Sequence, residues 1–220
     1  MRIDLRERLL ALESRYGDSR LAPSEITDLV RKCIKDAHVK VSTRRHSKAD
    51  PGQVIPGGSY DSDDDAEQEP CIHLDLIYHP DQQHLEIKYA NWDRVSFEIC
   101  EVIGHEYVHR DQHRRKFRNE QYPCTLDPGH PDRALQIYHG ESCEIEAYGY
   151  SIAAEVLVYY NGEEEAAHLT ETYQLYARLF ETDQSVILKL DQYISKYLNK
   201  LKAVKDVKTT TTTRRSRTRD

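Results

Sequence analysis

Residues 102–109 read Val-Ile-Gly-His-Glu-Tyr-Val-His and contain two histidines, His105 and His109, that are four positions apart. On an α-helix this spacing places both imidazoles on one face, one turn apart, where they can bind the same metal ion. Glu106 is rotated by about 100° from His105, so it cannot easily join them as a ligand. It can instead accept a proton from a water that zinc activates. The stretch therefore predicts zinc ligands at His105 and His109 and a general base at Glu106.

A catalytic zinc site needs a third protein ligand as well as an open coordination position. The sequence has no histidine ten residues after His105, because Arg115 occupies that place. His113, eight residues after His105, lies two helical turns away from the predicted ion. We therefore look for the third ligand on another helix.

The next long helical pattern contains residues 144–147, which read Glu-Ile-Glu-Ala. Together with the first motif, this stretch resembles the glutamate zincins, metallopeptidases whose second helix carries Glu-x-x-Ala followed by Asp or Asn. Residues 94–155 are similar to the ImmA/IrrE-like regulatory peptidases and to small bacteriophage-encoded His-Glu-x-x-His proteins. The resemblance implies that Glu144 is the third zinc ligand, with Glu146 as the alternative. Tyr148 stands where the family has Asp or Asn, so the hydrogen bonding that orients the zinc-binding histidine His105 is expected to differ from the family pattern.

What the resemblance implies is a zinc-dependent peptidase that binds one Zn²⁺ per chain and hydrolyses a protein or peptide substrate. Such enzymes also direct a His, Tyr or Arg side chain at the oxyanion that forms during attack. The sequence leaves four candidates open for that role: Tyr138, His139, Tyr148 and Tyr150. The alternative function is a non-catalytic zinc-binding structural or regulatory protein that retains the zincin fold.

The expected fold class is α+β, a single mainly helical zincin-like domain over residues 1–205 with a small antiparallel sheet beside the active-site helix. Apolar periodicity predicts helices over residues 6–16, from 24 onwards, and over 94–113, 142–160, 163–181 and 183–201. Alternating apolar residues over 72–78 and 85–89 predict the two strands of a hairpin. The histidines of this region, His73, His79 and His84, lack a carboxylate at ligand spacing and indicate an exposed polar sheet face.

Two segments have compositions that disfavour a packed core. Residues 47–69 are rich in Gly, Pro and Asp, which predicts a polar acidic loop. Residues 206–220 are rich in Thr and Arg, which predicts a disordered tail. The basic tail can contact nucleic-acid phosphates, but the net charge of -7 makes this an accessory role at most.

The remaining composition favours a cytoplasmic protein without a membrane partner. The five cysteines include no Cys-x-x-Cys pair, and the charged N-terminal stretch has no signal-peptide apolar region. No apolar run approaches the roughly 20 residues that cross a bilayer. We therefore expect reduced thiols in a cytoplasm, the host cytoplasm if the chain is phage-encoded.

Overall fold

The computed structural model describes residues 3–62, 70–116 and 129–216. The chain forms two compact units, Met1–His113 and Arg114–Asp220. The single domain expected over residues 1–205 stays a prediction. In each unit the helices bury their own set of apolar side chains.

The first unit consists of three long helices and five strands. The helices are α1 (Ile3–Tyr16), α2 (Pro23–Cys33) and α3 (Trp92–Arg114), and a short 3-10 helix (Ile87–Tyr89) precedes α3. The strands are β1 (Arg20–Leu21), β2 (Val39–Arg45), β3 (Val54–Asp61), β4 (Cys71–Tyr78) and β5 (Leu85–Glu86). The predicted helices α1, α2 and α3 are thereby confirmed.

The main sheet has the strand order β2-β4-β3, with β4 in the centre. It is mixed, because β4 pairs parallel with β2 and antiparallel with β3. The inward face of β4 carries four side chains that are 0% exposed: Ile72, Leu74, Leu76 and Tyr78. They join the core with residues of α3 such as Val95, Ile99 and Ile103. The expected α+β class, mainly helical with a small sheet, is confirmed.

The predicted hairpin between residues 72–78 and 85–89 is wrong. Its second half forms β5 and the 3-10 helix, and Leu85 of β5 pairs with Leu21 of β1. Both edges of β4 are already paired, with β2 on one side and β3 on the other. No edge of β4 is therefore left for a returning strand.

The predicted loop over residues 47–69 is wrong for Val54–Asp61, which form β3. The glycines and the proline of this segment do not prevent a strand, because hydrogen bonds to β4 satisfy its extended backbone. Pro56 is tolerated because β3 is an outer strand of the described sheet. Residues 63–69, with most of the acidic run, lie outside the described residues.

The second unit is helical. It contains α4 (Arg133–His139), α5 (Ser142–Tyr159), a 3-10 helix (Glu164–Leu169), α6 (Glu171–Leu179) and α7 (Gln184–Ser216). Helices α5 and α7 pack closely, because a Cβ at Gly149 would lie 2.5 Å from the Cβ of Tyr193. Ala153 and Ala154 are 0% exposed further along α5.

The C-terminal end differs from the predicted tail, since α7 continues to Ser216. Adding residues to an existing helix requires less free energy than nucleating a new helix. The run of threonines therefore continues the helix that the preceding residues form. Residues 217–220 lie outside the described residues. Among the helices described, none has both the length and the hydropathy to span a membrane.

Candidate metal centre

Helix α3 presents the two predicted histidine ligands as a pair. The Nε2 atoms of His105 and His109 are 3.2 Å apart. Two nitrogens that each bind one tetrahedral zinc at about 2.0–2.1 Å lie about 3.3–3.4 Å apart. His105 is 8% exposed and His109 is half-buried. The two imidazoles thus already have the spacing needed to chelate one ion, and both are shielded from much of the solvent.

Gln112 orients the second histidine. Its side chain is 4% exposed, and its Oε1 lies 3.0 Å from Nδ1 of His109. An amide oxygen accepts hydrogen bonds, so this contact favours the tautomer with the proton on Nδ1. That tautomer leaves the Nε2 lone pair free to bind a metal. The sequence analysis missed this residue, although a glutamine three positions after His109 on the same helix is a detectable signal.

Glu106 lies beneath the outer strand β3. A Cβ built on Gly58 would lie 3.2 Å from both Cγ and Oε1 of Glu106, and only 2.5 Å from Cγ1 of Val102. The bare glycine backbone therefore gives the Glu106 side chain the space that it occupies. Glu106 is 7% exposed. The predicted general base is held in a narrow gap between a helix and a strand.

The other face of the motif is anchored within the first unit. The Tyr107 hydroxyl donates a hydrogen bond to Oδ2 of Asp36, and the Arg110 guanidinium lies 4.3 Å above the Tyr107 ring. The polar continuation of the motif at Arg110 thus has a packing role on this face. These contacts fix the rotation of α3 and so keep the histidine pair on the opposite side.

Glu144 lies in the first turn of α5 and is 7% exposed. Burial, followed by the negative charge that Tyr148 and Glu144 can carry, raises the pKa of the Tyr138 hydroxyl. Tyr138 therefore keeps its hydroxyl proton.

Glu146, the alternative third ligand, has a different environment. Its side chain is 1% exposed, and its Oε1 accepts hydrogen bonds from Lys196 at 2.7 Å and from Tyr197 at 2.9 Å. Its Oε2 accepts from Arg115 at 3.1 Å. Both oxygens of this buried carboxylate are therefore engaged by half-exposed cations and a buried hydroxyl of the second unit. This arrangement favours Glu144 over Glu146 as the ligand.

The predicted ligands His105 and His109 lie in the first unit, and the predicted third ligand, Glu144, lies in the second unit. Each offers one ligand atom, and two of the three are buried. Two imidazoles and one carboxylate are a donor set that transition metals accept.

The candidates for oxyanion stabilisation occupy different surroundings in the second unit. His139 is 4% exposed, with ring centroids of Tyr138, Tyr148 and Tyr176 within 4.9–5.2 Å. Tyr150 packs edge-on against Tyr197, with centroids 5.5 Å apart. Tyr138 is 43% exposed, and the Glu144 charge acts on its hydroxyl. Tyr138 thus combines solvent access with an electrostatic interaction with a predicted ligand.

Comparison of the chain with protein-family models, with curated proteins and with solved structures finds no match.

Proposed function

We propose that the protein is a zinc-dependent intracellular peptidase in which Glu106 is the general base. The observation that carries the proposal is the 3.2 Å separation of the His105 and His109 Nε2 atoms, directly beside Glu106 on one helix. A buried carboxylate next to a chelating histidine pair fits metal-assisted hydrolysis better than a purely structural site, which zinc usually fills with four protein ligands.

Zinc is the metal that best suits these donors. Two neutral imidazoles and the Glu144 carboxylate make three protein ligands, the usual number when a fourth position stays open for reaction. When bound there, zinc would lower the pKa of a water and polarise the scissile carbonyl. Gln112 supports the site by holding His109 in the tautomer that binds through Nε2.

The role proposed for Glu106 is to move one proton. Its carboxylate accepts a proton from the attacking water and later gives that proton to the departing amine. The narrow gap beneath Gly58 restricts the side chain, so the carboxylate does not have to be ordered during the reaction. Because Glu106 is 7% exposed, bulk water has little access to compete for the proton.

A peptide is the substrate class that the neighbouring strand supports. β3 is an outer strand of the described sheet, and such strands can accept an extended peptide as an additional strand. Gly58 lies directly against Glu106, so a peptide paired along β3 would run past the general base. The four described cysteines are free thiols, which supports a reducing compartment.

Glu106→Gln tests the proposal on a library of proteome-derived peptides, with new termini identified by mass spectrometry. The matched control is Glu98→Gln on the same helix, where Glu98 pairs with Arg94 at the surface. We expect cleavage by the wild type and by the control, and a loss of about 10²–10⁴-fold in Glu106→Gln with its zinc retained.

Two outcomes would speak against the peptidase. If no form cleaves although all bind zinc, the protein is instead a non-catalytic zinc-binding structural or regulatory protein. If Glu106→Gln cleaves as fast as the wild type, Glu106 is not the general base.

A further inference from the structure

A cysteine and a histidine form a close pair on the outward face of β4, the face opposite to the buried Ile72 and Leu74. Cys71 and His73 are two residues apart on one strand, so their side chains lie on the same face. The Sγ atom of Cys71 is 3.1 Å from Nε2 of His73. Oδ2 of Asp61, the β3 partner of Cys71 in the ladder, lies 4.0 Å from the same nitrogen. The geometry lets His73 take the thiol proton, with Asp61 stabilising the resulting charge.

The pair has one open side. Cys71 is 7% exposed, whereas the side chains of His73 and Asp61 are 38% and 55% exposed. Solvent therefore reaches the imidazole and the carboxylate far more than it reaches the thiol. An imidazole next to a partly accessible thiol is a recurring environment of reactive cysteines.

Three other cysteines of the described residues are less able to ionise. Burial raises the pKa of the Cys100 and Cys143 thiols to about 12 each. Burial also raises the pKa of Cys33. Since the thiolate is the reactive form, these three cysteines provide internal references of low reactivity.

The neighbouring strands bring further polar groups to the same face. Lys40 of β2 and Ser59 of β3 are the register partners of His73. Asp75, two residues further along β4, forms an ion pair with Arg44 and accepts a hydrogen bond from Ser42. Basic and acidic side chains thus surround the Cys71–His73 pair on this face.

We propose that Cys71 is a nucleophilic thiol, activated by His73, that reacts with small peroxides. His73 accepts the thiol proton, and the Cys71 sulfur attacks one oxygen of hydrogen peroxide. A sulfur–oxygen bond forms as the oxygen–oxygen bond breaks, and the leaving hydroxide takes the proton from His73 to become water. The sulfur is oxidised to sulfenic acid and the peroxide is reduced. This reaction is independent of the proposed metal centre.

The test is the rate of dimedone labelling of each cysteine in the folded, full-length protein exposed to hydrogen peroxide, measured by peptide mass spectrometry. We compare the wild type with His73→Gln, and use His79→Gln as the matched control. His79 follows directly after β4 and faces Asp81 rather than a thiol. Thermal unfolding shows whether each variant is folded.

In the wild type, Cys71 should label at least about tenfold faster than Cys33, Cys100 and Cys143. The rate at Cys71 should fall about tenfold in His73→Gln and stay unchanged in His79→Gln. Equal labelling of Cys71 and the three reference cysteines, or an unchanged rate in a folded His73→Gln protein, would overturn the proposal.

A second measurement needs no variant and covers the case in which His73→Gln fails to fold. Alkylation of the wild type by iodoacetamide between pH 6 and pH 9 should rise less steeply at Cys71 than at Cys33, because His73 already takes the proton at low pH. A rise at Cys71 in step with that at Cys33 would overturn the proposal.

Discussion

Replacing Gly58 with alanine places a methyl group in the gap between β3 and α3. The new Cβ would lie 2.5 Å from Cγ1 of Val102 and 3.2 Å from Cγ and Oε1 of Glu106. Carbon atoms pack best at about 3.5–4.0 Å, so the strand and the helix must separate by on the order of 1 Å unless Val102 moves. Val102 is β-branched and has one strongly preferred rotamer on a helix, so it cannot easily turn away.

The expected magnitude has two parts. Overpacking of this kind typically lowers the free energy of unfolding by about 1–3 kcal/mol, and each kcal/mol lowers Tm by about 2–4 °C in a chain of this size. Displacing the Glu106 carboxylate by about 1 Å should reduce kcat/KM by about 100-fold, because the proton must be taken at a defined position. The histidine pair is on another part of the α3 surface, so zinc content should stay at the wild-type level.

Gly57→Ala is the matched control. Its Cβ would meet only Cδ1 of Ile77 at 3.5 Å, an ordinary contact, and neither glycine has a positive φ. The assay is cleavage of the peptide library, with Tm and zinc content measured on the same samples. Wild-type turnover in Gly58→Ala would refute the argument that Glu106 is constrained by β3. Equal losses in both variants would show a general effect on the strand.

Three further predictions concern the support of the site and the core. Gln112→Leu should weaken zinc affinity by about 10–100-fold in a chelator competition, because His109 loses its Nδ1 acceptor. Glu146→Ala should lower the free energy of unfolding in urea by about 1–3 kcal/mol, because the buried Tyr197 hydroxyl loses its acceptor, while the half-exposed Lys196 and Arg115 can turn to water and zinc stoichiometry is unchanged. The third prediction concerns pH. Burial raises the pKa of Cys100 to about 12 in the folded state, whereas an unfolded thiol titrates near about 8.5. Below pH 8 the thiol is neutral in both the folded and the unfolded state, so its contribution to the free energy of unfolding does not change with pH. Above that pH the unfolded state loses its proton first, so this thiol should cost about 1.4 kcal/mol of stability per pH unit. Cys100→Ala should flatten that decline.

Each of these has a result that would contradict it. Unchanged zinc affinity in Gln112→Leu would mean that the amide does not orient His109. Loss of zinc in a folded Glu146→Ala protein would make Glu146 the ligand in place of Glu144. An equally steep alkaline decline in Cys100→Ala would place its origin at other groups, such as Tyr78, whose pKa burial also raises to about 12.

Local patterns were sufficient to predict the helices that carry the site. The 3.6-residue periodicity identified α3 and α5, because a helix satisfies its own backbone and its buried stripe is visible within one segment. The motif spacing identified His105 and His109 for the same reason, since residues four apart on a helix are neighbours.

The strands were predicted less well because their stability comes from partners distant in sequence. β2 is mostly exposed and β3 contains Pro56, Gly57 and Gly58, so neither shows clear alternation. Pairing with the apolar β4, together with packing on the helices, holds them in place. The preference for Glu144 over Glu146 likewise depends on Lys196 and Tyr197, about fifty residues away, whose contacts no local pattern reveals.

The central claim is that His105, His109 and Glu144 bind zinc, and metal content measured by mass spectrometry on protein purified without chelator tests it most directly. The comparison includes His105→Ala and Glu144→Ala, with His113→Ala as the control on the same helix. The account predicts about one zinc per chain in the wild type and the control, none in His105→Ala and weakened binding in Glu144→Ala. No zinc in the wild type after zinc is added back, or full zinc in His105→Ala, would contradict it.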